Sequence, residues 1–315
     1  MLADGDYVPV VYALLDSDAD TNYVKITHTL GSGDAILNAD NPELSNYPGK
    51  LDVRLTEFCN GDSIRQIILD TITIHNKENG LFYAPAQKLY YTTERLGKNQ
   101  QGKHYSYRLT AVLPDRTLTA KTDMVGSNIF RITSSVIDFS GGDFKGAHDI
   151  SIAPALNAEI YDVSVSFTFL ERRTFTSDTI PRTMTWSLGT HYLFELTNSM
   201  HEGFLMVSYR PYDLYVELRD FLGDDTLVPG LRRYITDDPV QVTVVAGGQD
   251  LFNYVYSYEL NSQNMTDDNL FTNINGGYGV FSSKMKTTKI MRLGGTTIPE
   301  LMQTKWGFKY IGGLL

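Results

Sequence analysis

The stretch Leu270–Lys284, LFTNINGGYGVFSSK, places three glycines within four residues. Glycine clusters cradle phosphate when a Lys-Ser/Thr pair follows, or bind a dinucleotide as G-x-G-x-x-G between a strand and a helix. Neither condition is met, and no cation adjoins the cluster. The expected role is therefore backbone: glycines that bend a strand or let another chain approach closely. Asp16–Asn22, DSDADTN, alternates acidic and Asx residues like the start of a calcium loop, with Asp16, Asp18, Asp20 and Asn22 in phase. Thr21 stands where such a loop needs glycine, and Thr27 where it needs a bidentate glutamate. A weak calcium site and an Asx-rich turn both remain open, and the turn is the better reading. The six histidines, His28, His75, His104, His148, His191 and His201, show no H-E-x-x-H spacing. There is no G-x-S-x-G, and 37 acidic residues offer too many pairs to single out a glycosidase dyad. Cys59 is the single cysteine, so neither an internal disulfide nor a cysteine-based metal site can form. No catalytic residue, metal ligand or cofactor is assigned. What remains is aromatic: Trp306, Phe308 and Tyr310 alternate on one face of a strand, and Trp186 stands alone. Such faces stack on sugar rings or, more commonly, fill a core.

Charge narrows the partners. The net charge is −10 and the isoelectric point is near 5.0. Nucleic-acid binding and electrostatic docking on anionic lipid both need clustered cations, and both are disfavoured. The pairs Arg172-Arg173 and Arg232-Arg233 read as solvated surface. No apolar run is long enough to span a bilayer. The opening MLADGDYVPV lacks the regions of a signal peptide, which fits either a cytoplasmic chain or a mature fragment, and the abrupt entry into a strand at Tyr7 favours the fragment.

The elements that must position these residues are mostly strands. Leu51, Val53 and Leu55 alternate with Asp52, Arg54 and Thr56, and Asn60-Gly61 then marks a tight hairpin. Tyr105, Tyr107, Leu109, Ala111 and Leu113 share a second face, turned by Pro114-Asp115. About seven short strands fit in residues 1–125, the pattern of an immunoglobulin- or fibronectin-like sandwich, without its cysteine pair. Residues 126–315 read as a second β-rich domain. There Val163, Val165, Phe167 and Phe169 face inward, and short helices fall near 211–222, 249–260 and 299–303. In the first of these helices Leu214, Tyr215, Leu218, Phe221 and Leu222 share the apolar face; in the second, Leu251, Val255 and Tyr258. The segment RTMTWSLGTHYLFEL, 182–196, reads as a strand that pairs with the one carrying Val163 to Phe169. Asn264 opens a formal glycosylation sequon, and no fixed-period repeat is present.

The segments DPVQVTVVAGGQDLFNYVYSYEL and LFTNINGGYGVFSSK, with YVPVVYALLDSDADTNYVKI and HYSYRLTAVLPDRTLTAKT, carry a resemblance. Together they are similar to an uncharacterised family of Bacteroidetes outer-membrane lipoproteins. The resemblance implies an all-β exported protein of the cell envelope, tied to the membrane by a lipid on a cysteine absent from this chain; Cys59 lies too deep to serve. It brings no catalytic residues. The expected function is non-catalytic: binding a partner protein or a glycan at the bacterial surface, with the loops Gly31 to Gly49 and Gly126 to Ala147 as candidate contact regions. The alternatives are a carbohydrate-active β-sandwich enzyme, needing two carboxylates in an aromatic cleft, and a structural subunit with a large apolar patch.

Overall fold

Branched and aromatic residues alternate with polar ones along most of this chain, and the backbone follows that period of two into strands. The computed structural model describes residues 7–29, 45–74, 87–141, 146–173, 178–223, 230–264 and 270–312. The protein is mainly β. Its strands in chain order are β1 (Pro9–Leu15), β2 (Asn22–His28), β3 (Asp52–Cys59), β4 (Asp62–Ile68), β5 (Asp70–Ile74), β6 (Gln87–Thr92), β7 (Tyr105–Val112) and β8 (Thr117–Asp123). Then follow β9 (Arg131–Ile132), β10 (Val136–Ile137), β11 (His148–Ala153), β12 (Ala158–Arg173), β13 (Thr179–Tyr192) and β14 (Leu205–Tyr209). The last four are β15 (Leu231–Ile235), β16 (Val240–Gly248), β17 (Tyr278–Leu293) and β18 (Phe308–Tyr310). The helices are α1 (Leu193–Leu196), α2 (Asp213–Leu222), α3 (Gln249–Asn264) and α4 (Thr297–Gln303).

The chain packs as two units. Unit 1 takes Met1–Asn128, Ala155–Ile160 and Ala246–Met285; unit 2 takes Ile129–Pro154, Tyr161–Val245 and Lys286–Leu315. A single division between residues 125 and 126 therefore describes only the first segment of unit 1. Strands β12, β16 and β17 each carry residues of both units, because strand pairing joins segments distant in sequence.

In unit 1, β1, β2, β6 and β5 are neighbours in that order in one sheet, and β4, β3, β7 and β8 in the other. Lettered in chain order, these are A-B-E-D and C′-C-F-G, the strand arrangement of the immunoglobulin-type sandwich. Val11, Leu15 and Val24 from the first sheet share one core with Val53, Leu55, Leu109 and Leu118 from the second. Asn60 and Gly61 adopt φ of 52° and 93°, the paired left-handed turn that joins β3 to β4. Tyr107 on β7 is fully buried, and its hydroxyl accepts the Gly97 N–H at 2.7 Å. That bond back to the chain entering β7 is the tyrosine corner of such sandwiches. The same hydroxyl donates to the buried carboxylate of Glu57, which also accepts from Arg65 at 2.9 Å.

Strand β17 adds to the outer edge of β1 in parallel, from Val10 opposite Tyr278 to Leu15 opposite Ser283. A sheet edge is a row of unpaired amides, and β17 closes this one. Here the glycine-rich stretch finds its role. Asn273 clamps Phe281 through both backbone groups, accepting its N–H at 2.9 Å and donating to its carbonyl at 2.7 Å. Ser282 Oγ accepts the Leu251 N–H at the start of α3, at 3.1 Å. Ser283 Oγ accepts the Val125 N–H at 2.8 Å and donates to the Asp123 carbonyl at 2.7 Å. The motif is a knot that ties β17 to β8 and α3.

In unit 2, β11 pairs antiparallel with β14 and β9, and β12 pairs antiparallel with β15, to which β18 adds in parallel. Val163, Val165, Phe167 and Phe169 of β12 are all fully buried. Helix α2 buries Leu214, Leu218 and Leu222. Phe221, expected on that apolar face, is exposed and lies beneath the Arg182 guanidinium, 5.0 Å from its ring centroid. On α3 the departure is larger: Tyr258 is 62% exposed, since one side of this helix looks to solvent. The strand expected over 182–196 runs from Thr179 to Tyr192, and α1 follows it directly. The stretch 126–147, read as loop or linker, holds the short strands β9 and β10. The arginine pairs divide: Arg172 and Arg173 are exposed, but Arg233 is buried at 4% because it stands opposite Glu171 in the β12–β15 register.

Candidate functional site

The core of the first sheet takes Val11, Ala13 and Leu15 from β1 and Val24 and Ile26 from β2. The period of two then forces Tyr12 and Leu14, Tyr23 and Lys25, onto the opposite face. Tyr12 and Tyr23 are each 42% exposed. Antiparallel register sets Tyr12 directly opposite Lys25 and Tyr23 opposite Tyr91 of β6. The Tyr23 and Tyr91 rings lie 6.5 Å apart at 37°. From α3, Tyr254 meets Tyr12 edge-on at 6.1 Å, with their hydroxyls 3.1 Å apart. Tyr258, one turn further along α3, continues the aromatic surface.

This face opens into a hollow of about 420 Å³, lined by Tyr12, Tyr23, Lys25, Lys284, Asp16 and Asn22 among others. Its far wall is the Asx-rich turn. Asp16 Oδ1 accepts the Asp18 N–H at 2.9 Å, and the Asn22 side chain closes the loop on the Asp16 backbone at 2.7 and 3.0 Å. Asp18 is paired with Lys98 at 2.8 Å. These carboxylates are thus occupied with the turn and with lysine, and among the described residues no cluster of three or more His, Cys, Asp or Glu side chains could hold a metal.

Burial sets the tyrosine chemistry. Desolvation, with the Tyr12 hydroxyl adding to it, pushes Tyr254 up to about 12, and burial does the same to Tyr209 of unit 2, also to about 12. Free tyrosine ionises near 10. A raised folded value means that the stability these phenols contribute is complete below about pH 10 and is lost as pH climbs through 12. In an alkaline titration, phenolate absorbance and circular dichroism are expected to change together between those values for this subset. Smooth ionisation of all 20 tyrosines near pH 10 with the fold intact would count against it.

The aromatic residues singled out by sequence are placed elsewhere, in unit 2. Trp306 and Phe308 are 7% and 2% exposed, and Phe308 packs edge-on against Phe169 at 5.3 Å. Trp186 is buried against Phe139. Only Tyr310 faces solvent, its hydroxyl donating to Asp237. One strand face therefore does not carry all three of Trp306, Phe308 and Tyr310: β18 spans only Phe308–Tyr310, Trp306 lies before it, and Tyr310, although in phase with Phe308, ends the strand in solvent. Of the candidate loops, 31–44 and 142–145 lie outside the described residues, as do His75 and the side chain of Asn264. The tyrosines were legible in one way: YVKI and VVYALL put aromatic rings at positions whose neighbours are inward-facing.

A second hollow, about 320 Å³, lies in unit 2 between Ser187, Leu188, Ser208, Tyr209, Arg210 and Asp213. Its Ser208 hydroxyl is committed to Asp149 at 2.6 Å. Each hollow has one carboxylate in its lining, Asp16 in the first and Asp213 in the second.

Strand order and site together define a mainly β protein whose first unit is an immunoglobulin-type sandwich with a tyrosine-rich outer face. No family model matches the chain, and no curated protein matches it. Among solved structures, the crystal structure of chicken CNTN1 FN1–FN3 domains aligns with 91% of this chain and 68% of that one, at 8% identity and a TM-score of 0.16. A score of that size carries no argument, and the sandwich assignment rests on the strand order.

Proposed function

We propose that this chain is a non-catalytic recognition protein of a bacterial cell envelope, and that unit 1 binds a glycan on the outer face of its first sheet. The observation that carries this reading is the exposed pair Tyr12 and Tyr23 lining the hollow, extended by Tyr254 and Tyr91. A sugar ring offers an apolar C–H face and a rim of hydroxyls, and a tyrosine offers a flat apolar body with a polar tip. Placement on a rigid sheet holds the rings in position without ordering cost at binding. Export and lipid anchoring belong to the proposal through the family resemblance of the sequence. A glycosidase would need two carboxylates flanking the bond to be cut, and each hollow has one. A structural subunit would need a continuous apolar face. On the outer side of the second sheet, exposed Ile68 and Val112 stand opposite Arg54 and Asp52, which pair with each other.

Binding of the purified protein to an array of bacterial and plant oligosaccharides tests this. Each stacked tyrosine is expected to contribute about 1 kcal/mol, so Y12A/Y23A weakens binding roughly 30-fold. Y310A, at an exposed tyrosine of unit 2, leaves it unchanged. No retained glycan, or equal binding by Y12A/Y23A, would overturn the proposal.

A further inference from the structure

The hollow of unit 1 is lined by two lysines and one carboxylate, although the whole chain carries a net charge of −10. Lys25 Nζ donates to Gln87 Oε1 at 3.1 Å, which leaves two of its three N–H donors for a ligand. Lys284 has no ion pair among the described residues. The nearby acid Asp18 is already neutralised by Lys98, and Asp16 Oδ1 is engaged by the turn. The lining therefore keeps one unit of positive charge in excess, set beside the aromatic rings rather than away from them.

Resting on the glycan reading, we propose that the ligand is an anionic oligosaccharide, bearing carboxylate or sulfate groups, whose charges are read by Lys25 and Lys284 while its rings stack on Tyr12 and Tyr23. The register gives the spacing. Lys25 sits level with Tyr12 on one side of β1; Lys284 follows Ser283, the partner of Leu15, on the other side. Four residues along β1 and two strand spacings separate their backbones by roughly 16 Å. The two lysines therefore reach the hollow from opposite sides of β1, and a chain of several sugar residues lets both engage charged groups while its rings stack. A global charge of −10 repels anions at long range, and the local excess acts only within about a Debye length. Recognition therefore combines slow, unsteered association with contact-range selection, and it weakens with salt.

The test is calorimetric titration of the full chain with matched pairs: oligogalacturonate and its carboxyl-reduced form, and dextran sulfate and dextran. At least one charged member is expected to bind tenfold or more tighter than its neutral partner, with the gap closing in high salt. Which pair shows it distinguishes carboxylate from sulfate. K25Q/K284Q is expected to abolish the gap. Equal binding of charged and neutral members overturns this inference and leaves the glycan reading standing; binding of neither member of either pair overturns both. A gap that survives in K25Q/K284Q removes the lysines from the role given to them.

Discussion

Gly279→Ala destabilises unit 1 by about 4 kcal/mol, the sum of a strained backbone and a forced clash. Gly279 has φ of 105°, a conformation that costs an L side chain about 1–3 kcal/mol. It also lies opposite Val11 in the parallel β1–β17 ladder. A Cβ there would meet the Val11 carbonyl group, its carbon at 2.9 Å and its oxygen nearer still. Both chains are fixed by ladder bonds and by the Asn273 and Ser283 clamps, so neither can yield. Gly49 is the control: its φ is 71°, but nothing lies within 4 Å of an added Cβ, so Gly49→Ala loses only about 1 kcal/mol. Both tryptophans lie in unit 2, so their fluorescence does not report on unit 1 directly. Hydrogen exchange of β1 and β2 amides in urea is the measurement. If the two variants open alike, close approach is not what this glycine serves.

The same strand shows where sequence reading stops. Period-two alternation marks β3, β7 and β12 because each buries one face completely, and Val163, Val165, Phe167 and Phe169 need no partner to be named before their face is known. Asn60-Gly61 is equally local, since the turn dictates its own residues. Nothing local says that Tyr278 lies beside Val10, and so nothing local says that 246–285 belongs with the first sandwich. Trp306, Phe308 and Tyr310 illustrate a second limit: alternation tells that two faces differ, and only the packing of Phe308 on Phe169 tells which is core. Tyr12 and Tyr23 stand at outward positions of the period, a local signal that the reading of the sequence left unused. What the period withheld was Tyr254, brought to Tyr12 by a helix some 240 residues on, and Lys284, brought by β17.

The arginine misread as surface carries the second large effect. Glu171→Ala is expected to weaken unit 2 by about 3–5 kcal/mol, because it strands a buried charge. The Arg233 side chain is 5% exposed; it donates to Glu171 Oε1 at 3.0 Å and to the Trp306 carbonyl at 2.8 Å. Without Glu171 the guanidinium keeps, among the described residues, that carbonyl alone, in a site water hardly reaches. Arg182, the other partner of Glu171 at 3.1 Å, is 43% exposed and can turn to solvent. The loss therefore comes from Arg233 alone, and the variant E171L/R233M, which removes both charges and keeps the volume, should return to within about 1 kcal/mol of the parent. The Trp306 backbone is bonded to the arginine itself, so tryptophan fluorescence in urea follows the unit that is altered. A double variant as weak as E171A would mean that the pair contributes net stability, and that Glu171 and Arg233 do more than cancel each other's burial.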